Sequence, residues 1–93
     1  MEAWAFEDPP NTAALTTSDV LEANAPILLV THDADDGTWQ FLPGRAVSTS
    51  EGRVVGLGWI CGRDPSLLEL ADLPEGWRAS RERVGAEWQR RPA

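Results

Sequence analysis

The stretch Ile27-Leu28-Leu29-Val30-Thr31-His32-Asp33-Ala34-Asp35-Asp36-Gly37-Thr38-Trp39-Gln40-Phe41-Leu42 (ILLVTHDADDGTWQFL) sets two runs of strand character around an acidic bend. Ile27 to Thr31 is apolar and β-branched, the composition of a buried strand. Thr38 to Leu42 alternates, with Trp39 and Phe41 on one side and Thr38, Gln40 and Leu42 on the other, which is strand periodicity. The residues between them include Gly37 and make a loop of hairpin length. The bend also holds the only histidine, beside three aspartates. It is therefore a metal loop, an active site, or a turn.

Spacing decides against calcium. An EF-hand loop needs oxygens at positions one, three and five, glycine at six and glutamate at twelve. Counted from Asp33, the following acids fall at positions three and four, Gly37 at five and Gly44 at twelve. A transition-metal site would need further His or Cys ligands, and the chain has one of each. No metal and no cofactor are expected. Nucleophilic catalysis would have to use Cys61 with His32, yet Cys61 lies in the apolar run Val54 to Cys61, where a buried inert thiol is expected. No Gly-x-Ser-x-Gly elbow occurs, and nothing singles out an acid–base pair among fifteen carboxylates. No catalytic residue is assigned. Asp and Gly are turn residues, so the bend reads as a solvated reversal of the chain.

Working outward, Ala13 to Thr16 suits a short strand, and Thr17-Ser18-Asp19 can cap a helix from Asp19 to Ala23. Pro43-Gly44 ends the second strand of the hairpin, and Val47 to Arg53 reads as a polar loop. In Val54 to Cys61, Val54, Leu57, Ile60 and Cys61 match a helical stripe in spite of two glycines. Asp64-Pro65 starts another helix with Leu67, Leu68 and Leu70 on its apolar face, ended by Leu73-Pro74. Gly76 to Arg83 and Ala86 to Arg91 form a second hairpin around Val84-Gly85. The fold expected is α+β, one small domain with an antiparallel sheet and short helices packed on one face. Residues 12–91 form its globular core and residues 1–11 an irregular arm whose Trp4 and Phe6 pack back onto it. Trp39, Phe41, Leu28, Val30, Leu57, Leu68, Trp77 and Trp88 are the expected interior. Arg78, Arg81 and Arg90 are expected to reach solvent or carboxylates.

Ninety-three residues allow one core, and five tryptophans supply much of its area. A net charge of −7, with no lysine, argues against binding phosphate backbones, so no nucleic-acid partner is expected. Residues 1–36 carry eight carboxylates and no arginine, while residues 78–93 carry five arginines against Glu82 and Glu87. A lone cysteine suits a reducing compartment. With neither a signal-peptide pattern nor a long apolar run, a cytoplasmic location and no membrane partner are expected.

GTWQFLPG (Gly37 to Gly44), DPSLLEL (Asp64 to Leu70) and LPEGWRASR (Leu73 to Arg81) together resemble domain-of-unknown-function family 2185. These are small bacterial proteins, some identified as immunity proteins of polymorphic toxin systems. The likeness covers about Thr12 to Trp88, although Pro43-Gly44-Arg45 replaces a more acidic continuation. It implies a non-enzymatic protein that covers a partner's surface, and a basic partner such as a toxin domain. Opposite charge would speed such an encounter, with Glu7, Asp33, Asp35 and Asp36 as the binding residues. The alternative is a small ligand-binding domain or enzyme using the hairpin end at His32, Asp33, Asp35 and Asp36, which requires a concave site with His32 facing inward. Oligomeric state is not legible from sequence.

Overall fold

In the computed structural model, which describes residues 4–93, the hairpin forms as its sequence pattern requires. Strands β2 (Leu29–His32) and β3 (Trp39–Leu42) pair antiparallel, with Val30 opposite Phe41 and His32 opposite Trp39. The remaining elements are β1 (Ala13–Thr17), α1 (Ser18–Glu22), β4 (Gly52–Gly56), α2 (Leu57–Arg63), a 3-10 helix (Pro65–Leu70), β5 (Trp77–Ser80) and β6 (Gln89–Pro92). They build one sheet in the order β4-β1-β3-β2-β5-β6, with β4 and β6 at its edges. All neighbours are antiparallel except β1 and β3, which run parallel.

Alternation splits the sheet into two faces. Ala14 and Thr16 on β1, Val30 on β2, Trp39 and Phe41 on β3, and Ala79 on β5 are buried together with Leu57, Ile60 and Cys61 of α2 and Leu67, Leu70 and Leu73. The helices thus cover one face, and the α+β class holds. Each fully buried Leu, Phe or Ile contributes about 1.5–3 kcal/mol, so this layer supplies most of the driving force. Of the expected interior, Trp39, Phe41, Val30 and Leu57 are buried, while Leu28, Leu68, Trp77 and Trp88 are half-buried.

Two expectations need correction. Val54 is not on a helix, and Gly52 and Arg53 are not loop: a fourth strand, β4, lies antiparallel to β1 over five residue pairs. The helical stripe begins at Leu57, whose helix keeps Leu57, Ile60 and Cys61 inside while Val54 stays 69% exposed. β-Branched Val54-Val55 favour extended backbone, and a waiting β1 edge decides the matter. The Asp64-Pro65 start is present, but the segment winds as a 3-10 helix. Its threefold period lines up Leu67 and Leu70, the turn that follows adds Leu73 through its amide to the Leu70 carbonyl, all three are buried, and Leu68 is left to the side.

The arm, irregular from Trp4 to Asn11, is tied down at both ends. Phe6 packs edge-on against Trp39 at 5.0 Å and stacks with Trp4 at 5.3 Å. The first turn of α2 has no capping side chain, because its N-cap is Gly56. Its free amides are met by the arm instead: Leu57 donates to the Thr12 carbonyl (2.8 Å) and Gly58 to the Pro10 carbonyl (2.7 Å). Met1, Glu2 and Ala3 of the expected arm lie outside the described residues.

Arg81 reaches a carboxylate, as expected, but does so from inside the fold, at 6% exposure. Its guanidinium donates to the Ile27 carbonyl (2.9 and 3.1 Å), the Ser66 hydroxyl (2.9 Å) and Asp64 (2.8 Å), and lies over the Trp88 ring at 4.2 Å. Asp64 in turn accepts from the Ser66 amide, so one carboxylate starts the 3-10 helix and neutralises a buried cation.

Candidate functional site: an acidic cleft at the hairpin end

The β2–β3 loop closes tightly, with Asp33 N–H donating to the Thr38 carbonyl (2.9 Å) and Gly37 N–H to the Asp33 carbonyl (3.0 Å). Gly37 sits at φ +74°, a left-handed conformation that a side chain disfavours, so glycine is required there. A β-carbon at Gly37 would also stand 2.7 Å from Glu75 Oε2. The loop is thereby pressed against the Pro74-Glu75-Gly76 turn that leads into β5. That turn is fastened from below by Gly76 N–H donating to the His32 carbonyl (2.6 Å).

Between these turns and the arm lies a cleft of about 530 Å³ lined by Glu7, Asp8, Asp36, Asp72, Glu75, His32, Trp39 and neighbouring residues. Among the described residues, five carboxylates line it and no arginine does. His32 lies flat on Trp39, ring centroids 3.9 Å apart and planes 14° from parallel. Its Nδ1 is 2.8 Å from the Leu73 carbonyl oxygen. A carbonyl only accepts, so Nδ1 carries the proton in that bond.

The carboxylates differ in commitment. Asp8 accepts from the Trp39 indole N–H (3.2 Å), and its own carbonyl accepts from the Trp4 indole N–H (2.6 Å), which locks the arm over the hairpin. Asp36 accepts from the Thr38 amide (3.0 Å), and hydrogen bonding to Thr38 holds its carboxyl below the usual range. Asp72 pairs with Arg90 at 2.7 Å, which lowers its pKa in the same way. Glu7 and Glu75 make no side-chain hydrogen bond or ion pair among the described residues. They are the carboxylates free to meet something else.

Of the four binding residues expected from sequence, Glu7 and Asp36 line this cleft. Asp33 instead accepts from the Gln40 amide (2.8 Å), and Asp35 is exposed at the loop tip. Asp8, Asp72 and Glu75 were missed. Asp8 comes from the arm, Asp72 and Glu75 from the connection before β5, and no local spacing signals that these two segments close on the hairpin. His32 does face the concave side that a ligand-binding reading requires. Among the described residues, no group of three or more His, Cys, Asp or Glu side chains is arranged to hold a metal ion. No helix there is long and apolar enough to cross a membrane. Chemically, the cleft offers carboxylate acceptors, the surroundings that suit an ammonium or guanidinium group.

No family model, curated protein or solved structure matches the chain.

Proposed function

We propose that the protein is a non-catalytic binding module that seats a basic side chain of a protein partner in the acidic cleft. The single observation carrying this reading is the lining itself: five carboxylates and no arginine in a cleft of about 530 Å³, with Glu7 and Glu75 uncommitted. In a chain of net charge −7, such a cleft both attracts a basic partner over distance and offers an incoming arginine a bidentate acceptor. Asp33 and Asp35, outside the cleft, add to the long-range field and leave the final contact to others. The reading agrees with the resemblance to domain-of-unknown-function family 2185 and its immunity proteins, whose task would be to cover a toxin domain in the cytoplasm.

The test is affinity capture from native lysate with mass spectrometry, repeated with Glu7→Lys/Glu75→Lys. These two carboxylates accept no hydrogen bond among the described residues, so the double variant spares the turn. A basic protein captured stoichiometrically, and bound at least about tenfold more weakly by the double variant than by Glu82→Lys, is the expected result. Equal binding by both variants would remove the cleft from the account.

A second reading, a pocket for a small cationic ligand, is favoured by His32, whose ring is oriented by Leu73 and stacked on Trp39. Saturable amide shifts at His32 and Gly37 on adding N-acetyl-arginine amide, with no protein captured, would establish it over the first.

A further inference from the structure

The sheet face opposite the helices carries a different chemistry. Of the eight arginines, six make at least one hydrogen bond or ion pair: Arg45, Arg53, Arg63, Arg81, Arg83 and Arg90. Arg78 and Arg91 make none among the described residues. They are not scattered: Arg78 on β5 stands directly opposite Arg91 on β6, and alternation puts both on the outward face. Like charges facing each other across a strand pair oppose sheet formation. The chain has fifteen carboxylates, yet among the described residues none occupies an outward strand position.

Beside the pair runs a groove of about 370 Å³, lined by Arg78, Arg91, Ser80, Leu29, Gly44 and Arg45 among others. Ser80, two residues along from Arg78 on the same face, brings a hydroxyl to it. Thr31 is Arg78's opposite number on β2, and its hydroxyl is shielded from water without a partner. The row therefore holds two guanidinium forks without a carboxylate partner among the described residues, and spare hydroxyl groups; the nearby acids are already engaged, Asp33 by Gln40 and Asp19 and Glu51 by Arg45.

We propose that this groove is a phosphate site, taking free phosphate or a small phosphate monoester between Arg78 and Arg91. Two forks present more N–H donors than the two oxygens of one carboxylate can use. A tetrahedral dianion has enough oxygens for both and cancels both charges. Ser80 donates a further hydrogen bond, and Leu29 with Gly44 form the wall. The site lies on the face away from the acidic cleft, so anion and basic partner occupy separate surfaces.

The test is an amide chemical-shift titration of the full chain at fixed ionic strength, with inorganic phosphate in one arm, glycerol phosphate in a second and acetate in a third. Saturable shifts centred on Arg78, Ser80 and Arg91 are expected with both phosphates, at affinity at least about tenfold above acetate. Tighter binding of glycerol phosphate would identify the monoester as ligand, and equal binding free phosphate. Arg78→Gln and Arg91→Gln, both at exposed positions, each weaken binding by about tenfold, whereas Arg83→Gln leaves it unchanged. Shifts spread over all arginine-bearing segments, equal affinity for acetate, or indifference to both substitutions would overturn the proposal.

Discussion

Removing the indole of Trp39 strips the hairpin of its contact with Phe6, the floor from under His32 and the hydrogen bond to Asp8. Trp39→Ala is accordingly expected to cost about 3–5 kcal/mol, read from urea unfolding, and to loosen the arm together with the core. The buried Arg81 makes a sharper case. With its side chain 1% exposed and Asp64 20%, Asp64→Ala leaves a desolvated guanidinium without its counter-charge, and a loss of about 3 kcal/mol follows. A stability change below about 0.5 kcal/mol would show that the carbonyl of Ile27 and the Trp88 ring suffice to hold the cation. Cys61 gives a chemical readout of the same interior. Burial, aided by Asp64, pushes its thiol up to about 11, so iodoacetamide should label native protein far more slowly than urea-unfolded protein at pH 8, as followed by mass spectrometry.

At the scale of elements, Gly58 in α2 sets two rules against each other. Helix propensity alone predicts that Gly58→Ala stabilises the protein by about 1 kcal/mol. A β-carbon there would lie 2.8 Å from Cβ and 3.2 Å from the carbonyl oxygen of Pro10, so overpacking against the arm wins, and a net loss of about 1–2 kcal/mol is expected in urea unfolding. What could be read from sequence follows the same division between local and distant causes. The β2–β3 hairpin was legible because alternation and turn residues are local, and so was the Asp64-Pro65 start. The strand β4 was not, because a Gly-Arg-Val-Val-Gly segment becomes a strand only when β1 offers it an edge, and that edge is some forty residues away in the chain. The parallel pairing of β1 with β3 is likewise a fact of assembly. The cleft was half legible: Glu7 and Asp36 could be named from charge, whereas Asp8, Asp72 and Glu75 join them only through folding.

For the whole molecule, charge sets the response to acid. Arg45 holds Glu51 below the ordinary carboxylate range; the Thr17 hydroxyl and then Arg45 do the same for Asp19, and Arg90 does so for Asp72. A carboxyl whose folded pKa is depressed adds stability above its unfolded pKa and loses it as pH falls through the folded value. Unfolding midpoints in urea should therefore be flat near neutrality and drop below about pH 4. Solvent screens these surface pairs, so Arg90→Gln should soften the acid drop without abolishing it. Salt near 1 M should weaken the same contribution.

The two margins of the sheet are unequal. On one side, β6 ends Arg90-Arg91-Pro92, where charge and a missing amide hydrogen discourage further hydrogen bonding; on the other, β4 offers Val54 and Val55 between glycines. A sheet that can zip along only one border cannot polymerise: if two molecules join there, the seam is two-fold and growth halts at the pair. Concentrated solutions should then reach a dimer and stop short of fibrils.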